Sequence, residues 1–267
     1  IDVVGNLAYL GTTSAFVILD VSLPTSPSLV WEETYIYSAT EDIQVAGNKA
    51  YVTGPIRDVT VYDLSDPTSP SAPTFHSTWG LPENVCAANG EIFVADGWNG
   101  LEIIDRANWK PATWALGTAA GGGVAAVFVH ETWDIQVVDV SQPGRPLLRG
   151  RGGSGQMSTT AMAVHPPWIY VNGSNEFQVI DIADPDAPQI VGRSSSPDPG
   201  STYVRGTTVW SACANGSFWA IDVSDPTSPT VLGHGSAGEG TRDSVVLGDH
   251  LYLAGNDNRL RVVDISL

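Results

Sequence analysis

Residues 222–229 read DVSDPTSP, and residues 63–70 read DLSDPTSP. Looser copies begin at Asp20 (DVSLPTSP), Asp139 (DVSQPGRP) and Asp181 (DIADPDAP), a worn copy (DRANWKPA) begins at Asp105, and a short one (DISL) begins at Asp264. The steps between the seven aspartates are 43, 42, 34, 42, 41 and 42 residues. A fixed period of this size marks a repeat architecture, in which each unit buries its apolar face against its neighbours.

Inside one repeat the punctuation is regular. Residues 41–79, EDIQVAGNKAYVTGPIRDVTVYDLSDPTSPSAPTFHSTW, are broken at Gly47-Asn48, at Gly54-Pro55 and at the Asp-Pro-Thr-Ser-Pro phrase. The four intervening segments are rich in Val, Ile, Tyr and Thr and too short for helices, so they read as four antiparallel strands, here A to D in chain order. Strand B carries an aromatic in every repeat: Tyr9, Tyr51, Phe93, Phe128, Tyr170, Trp210 and Tyr252, each 11 or 12 residues before its aspartate. Pairs such as Gly5-Asn6, Gly47-Asn48, Asn89-Gly90 and Gly248-Asp249 precede it and suit a two-residue hairpin turn.

Four-stranded units repeated around an axis are propeller blades, and seven is within the usual number. The expected fold is all-β, a seven-bladed β-propeller of four-stranded antiparallel blades with the last blade lacking its outer strand. It forms one domain over 1–267, with blades at about 1–36, 41–78, 82–117, 119–151, 159–193, 201–235 and 242–267. In this frame the repeated phrase is a stiff connector between strands C and D. Its aspartate can accept backbone N–H groups in an Asx turn while the prolines fix the path. It offers too few converging oxygens for calcium.

The combination of GNxAYV, an apolar strand ending in VIDVSDP or a close variant, and TSPxLVG resembles the LVIVD-repeat family of bacterial and archaeal β-propellers. The likeness covers nearly the whole chain and is clearest over Val223–Pro229. It implies a propeller and, commonly, an exported, periplasmic or cell-surface protein. It implies no catalytic residues, because the family pattern is structural.

Composition narrows the partners. Twelve basic against 29 acidic residues leave a net charge of −17, which disfavours nucleic acid and anionic lipid. No apolar run approaches a membrane span and no signal-peptide pattern opens the chain, so direct membrane insertion is not expected. The chain begins without Met inside a strand-like pattern and reads as a mature or excised segment. Cys86 and Cys213 fall at non-equivalent places in repeats three and six, so a disulfide is not expected. The five histidines lie in different kinds of segment, and no metal or other cofactor is expected.

Propeller geometry puts the A–B and C–D turns, with the uniform phrase, on one face and the B–C and D–A loops on the other. The second face varies, and variable loops on a rigid frame are the default place for binding. On it fall Trp79, Trp98 and Trp133, with Glu41, Asp42, Glu83 and Asn84 at the mouth of strand A and Arg242 and Asp243 at the matching places of repeat seven. Indoles beside carboxylates suit a protein partner, a flanking domain or a sugar face. The reading is a non-enzymatic binding or assembly module, on this face or on the open edge of the last blade. The alternative is a polysaccharide-acting enzyme with Glu41 and Glu83 as paired carboxylates. No nucleophile elbow or phosphate loop is present, since Gly121-Gly122-Gly123 lacks the lysine that a phosphate loop needs. The Asn172 and Asn215 sequons suit turns.

Two departures stand out. Only 23 residues separate Asp105 from Phe128, against 29 to 31 elsewhere, which predicts a shortened outer strand or a vestigial, glycine-rich inner strand in blade four. At the other end, a three-stranded blade seven predicts an open edge, to be filled by sequence upstream of Ile1 or by a partner.

Overall fold

A computed structural model of the chain describes residues 1–34, 39–104, 115–142, 145–153, 161–173, 176–195, 200–238 and 240–266. Among these are twenty-six strands and no helix, arranged as seven antiparallel sheets around a central channel. Each sheet runs in simple up-and-down order from the channel outward. Blades one, two, four, five and six have four strands, and blade seven has three. Three strands of blade three are described, while its remaining stretch, with the worn copy from Asp105, lies in 105–114, outside the described residues.

The hairpin chemistry behaves as its residues require. Gly5 and Gly47 take φ of 62° and 61°, Asn89 and Gly90 take 53° and 78°, and Gly248 takes 55°. These are left-handed values that glycine and asparagine tolerate best. Alternation then sends one face of each sheet into the cluster it shares with the next blade. Tyr9, Phe16 and Ile18 of blade one, for example, pack with Ile43, Val52 and Tyr62 of blade two.

Blade four departs from expectation. Its inner strand, Ala115–Gly121, is seven residues long and pairs with Val124–Val129 along its length, and its outer strand, Leu147–Gly153, is also complete. Neither is vestigial. Gly122 and Gly123, at φ 56° and 83°, are the A–B turn and not a bare inner strand. The shortening therefore falls between Asp105 and Ala115. Register also corrects the aromatic alignment. Val124 pairs with Asp139 as Leu7 pairs with Asp20, so the equivalent of Tyr9 is Ala126, and Phe128 stands two residues farther along the same face.

The repeated phrase is a double turn and also an inter-blade clamp. The backbone N–H two residues on donates to the aspartate Oδ1 at 2.8–2.9 Å in Asp20, Asp63, Asp139, Asp181, Asp222 and Asp264. A second such turn forms at Asp66, Asp184 and Asp225. Hydrogen bonds from the following serine hold the Asp20, Asp63, Asp139 and Asp264 carboxyls below their usual range. The stiffened prolines then lie on the outer strand of the preceding blade. A Cβ at Gly150 would collide with the Pro185 carbonyl oxygen and sit 2.6 Å from Pro188 Cδ, and one at Gly192 would collide with the Pro226 carbonyl oxygen and sit 2.9 Å from Pro229 Cδ. Arg149 adds a fork to Asp186, with Nε and Nη2 each 2.7 Å from a carboxylate oxygen.

Blade six supplies an internal control, because a Cβ at its equivalent Gly233 would meet no heavy atom within 4 Å beyond its chain neighbours. Gly192→Ala is expected to lower stability by about 1–3 kcal/mol through overpacking. Gly233→Ala should stay within roughly 0.5 kcal/mol of the parent. Urea unfolding of both variants checks this, and equal losses would show that the proline clamp is not what the glycine accommodates.

Candidate functional site

The channel holds a cavity of about 770 Å³ lined by the inner strands. Its wall is polarised by which blade supplies it. Asp2, Glu41, Asp42, Glu83 and Asp243 come from blades one, two, three and seven, whereas blades four and five offer no carboxylate and are mostly apolar, with Leu116, Ala119, Ala120, Ala161, Met162, Ala163 and Val164 beside Thr118 and His165. Six of the nine residues singled out from sequence, Glu41, Asp42, Glu83, Asn84, Arg242 and Asp243, are brought together here.

Three of them have work that the sequence did not announce. Asp42, Asn84 and Asp243 share one register position, opposite Thr53, Ala95 and Ala254. Each reaches sideways to the inner strand of the next blade. Asp42 Oδ2 accepts from Val85 N at 2.9 Å and Asn84 Nδ2 at 2.7 Å, Asn84 Oδ1 accepts from Thr118 N at 3.0 Å, and Asp243 Oδ2 accepts from Ile1 N at 2.7 Å. In blade six the same place is Ser201, which shares a 2.5 Å hydrogen bond with Ser244. Deeper in the channel, Asp2 Oδ2 accepts from Gln44 Nε2 and Val45 N, each at 2.7 Å. These latches tie inner strands that have no backbone ladder between them.

Latching costs the carboxylates their water. Burial and the nearby Asp243 charge push the Asp42 carboxyl up to about 7, against the pull of the Ile1 nitrogen and the Val85 and Ile43 N–H groups. Burial raises Asp2 as well. Glu83 is raised by burial and then by the Glu41 charge, so the two glutamates are electrostatic neighbours at the rim. Arg242 does not neutralise them; its Nη1 donates to the Thr40 carbonyl at 3.1 Å and its Nε to Asn256 Oδ1 at 3.2 Å.

The three tryptophans part company. Trp79 is 73% exposed and Trp98 is 66% exposed, on loops that meet above blades two and three. Asp96, a residue that sequence reasoning missed, joins these loops. Fully buried, its Oδ2 accepts from Gly80 N at 2.8 Å and from Asn99 Nδ2 at 2.9 Å. A Cβ on Gly80 would collide with the Asp96 carbonyl oxygen, so the two backbones lie in contact. The available signal was an aspartate closing strand B just before Gly97-Trp98. Trp133 is held apart, at 6.2 Å centroid distance from Phe128 and 5.0 Å from His130, and does not line the channel.

Other chemistry is thin among the described residues. No group of three or more His, Cys, Asp or Glu is arranged to hold a metal. Cys86 and Cys213 are both buried and unpaired with each other, and burial pushes the Cys86 thiol up to about 12. No helix is long and apolar enough to cross a membrane.

The family model described as LVIVD repeat matches six segments, residues 1–33, 39–74, 84–108, 158–195, 204–234 and 238–266. The fourth blade is not among them, in keeping with its displaced aromatic and shortened approach. No curated protein matches the chain in sequence. Among solved structures, it is similar to a chain of the mitotic checkpoint complex (TM-score 0.77, 12% identity, 97% of this chain and 86% of that one). It is also similar to the computationally designed Ika8 protein (0.70, 11%, 99% and 82%). A third is BamB from Moraxella catarrhalis (0.63, 13%, 98% and 80%). At such identities the likeness concerns the fold.

Asp42 gives the latches a pH signature. Its folded-state value lies above the ordinary 3.8, so the fold keeps a proton that the unfolded chain has released. This contribution to stability is lost as pH rises from 3.8 through about 7. Asp42→Asn should therefore raise the melting temperature on the order of 2–4 °C or more at pH 8, and by less at pH 5. A shift independent of pH would assign the effect to packing and not to ionisation.

Proposed function

The chain belongs to the LVIVD-repeat family of β-propellers, and we propose that it is a non-enzymatic protein-interaction module of an exported or cell-surface protein. In this reading it docks a basic segment of a partner on its loop-rich face. The observation that carries the reading is the continuity of that face: exposed Trp79 and Trp98, pinned together through Asp96, lead along residues 80–83 to the Glu41–Glu83 pair at the channel mouth. Exposed indoles on a rigid base lose little entropy on binding and are common interface anchors. A lysine or arginine entering the mouth would relieve the mutual repulsion of the two glutamates. The alanines of blades four and five, Ala119, Ala120, Ala161 and Ala163, leave room for its stem. The net charge of −17 would speed encounter with a cationic partner. Export rests on the family resemblance and is tested by fractionating cells that express the protein from its own gene.

Binding of a panel of fluorescent Arg/Lys- and aromatic-containing peptides tests the docking site. Glu41→Gln with Glu83→Gln, and separately Trp79→Ala with Trp98→Ala, should each weaken binding by about tenfold or more. The glutamate pair should also flatten the salt dependence. Unchanged affinity in both double variants would remove this face from the function. Steady turnover of a polysaccharide that the glutamate variants abolish would favour paired-carboxylate catalysis instead.

A further inference from the structure

The two Asn-Gly-Ser sequons, at Asn172 and Asn215, are spelled alike and stand in opposite environments. Asn172 is fully buried on the strand Trp168–Gly173 of blade five, and its Nδ2 donates to Ser211 Oγ of blade six. Its amide is a bridge between two blades, out of reach of any enzyme acting on the surface. Asn215 stands at the crest of the hairpin that joins Thr208–Cys213 to Ser217–Asp222 in blade six. Gly216, at φ 84°, closes this turn by donating its N–H to the Cys213 carbonyl at 2.9 Å, and Ala214 and Asn215 are both exposed. Asn215 Oδ1 accepts from Ser217 N at 2.9 Å and from Ser217 Oγ at 2.7 Å. The hydroxyl that defines the sequon thus lies against the amide that would be modified. The Gly216 nitrogen, which would attack the asparagine side chain in deamidation, is engaged by Cys213 instead.

We propose that Asn215 is the acceptor of an N-linked glycan and that Asn172 is not. In the transfer, Asn215 Nδ2 bonds to the anomeric carbon of an oligosaccharide carried on a lipid diphosphate. The bond from that carbon to the diphosphate oxygen breaks, the lipid diphosphate leaves, and one amide proton passes to a base of the transferase. The inference rests on the export part of the functional reading, since the sequon is used on surface loops of secreted proteins. It also bears on the docking face. Ala214 lines the channel cavity, so a glycan on Asn215 stands beside the mouth. Blade six lies across the ring from blades two and three, and Trp79, Trp98 and the Glu41–Glu83 pair stay uncovered. A hydrophilic chain on the far side confines a partner's approach to the tryptophan side.

The test uses protein purified from cells that carry its own gene, after separation into exported and internal fractions. Trypsin isolates the two sequons, Asn172 within residues 152–193 and Asn215 within residues 206–242. Mass spectrometry of the exported protein should find peptide 206–242 heavier by whole monosaccharide residues and peptide 152–193 at its plain mass. The increment should vanish in Asn215→Gln and in Ser217→Ala and persist in Ser217→Thr. Asn215→Gln should keep the parent melting temperature, which separates loss of the glycan from loss of folding. An exported protein with plain peptide 206–242, or with a glycan on peptide 152–193 instead, overturns the inference and leaves the export reading standing. Conversion of Asn215 to aspartate with no sugar, the product of deamidation, overturns it in the same way. A protein confined to the internal fraction overturns both.

Discussion

Contact between successive blades carries this structure, because among the described residues no backbone ladder joins one sheet to the next, the single Gly97–Ala115 bridge between blades three and four apart. Three devices at three radii supply it. At the channel, Asp42, Asn84 and Asp243 accept N–H groups from the neighbouring inner strand. At mid-blade, one face of each sheet fills a shared apolar cluster. At the rim, prolines held by two consecutive Asx turns lie on a glycine of the preceding outer strand. Each device is local, as expected of a repeat array whose stability is a sum over neighbours.

The inner latches also shape the surface that a ligand would meet. A carboxylate that accepts a backbone N–H at the channel wall is drawn out of water, and several such groups around one channel repel each other, as Asp42 and Asp243 do. The acidic half of the channel is thus partly a by-product of holding the ring together. The Glu41–Glu83 pair above it makes none of those latches and is available for recognition. Blades four and five lack a side-chain acceptor at the latch position, where Gly117 and Ala161 stand, and apart from Thr118 and His165 their part of the wall is apolar.

Ruler-like repetition made most of the fold legible. The spacing of seven aspartates, the turn pairs and the short β-rich segments led to a propeller with a three-stranded last blade. The same ruler misled at blade four. Counting to Phe128 assumed that the aromatic always stands two residues into strand B, whereas the pairing of Val124 with Asp139 puts Ala126 there. A gap measured between two landmarks does not say which element lost the residues. Only register does.

For the candidate site, the sequence by itself determined which residues stand at the mouth of each inner strand, because a periodic chain places equivalent positions at equivalent radii. It could not separate Asp42, which is latched to Val85, from Glu41, which is not, since adjacent residues in a strand point to opposite faces and the latch depends on where the next blade's N–H arrives. Nor could it find Asp96, whose role exists only because the loop bearing Trp79 folds over the loop bearing Trp98.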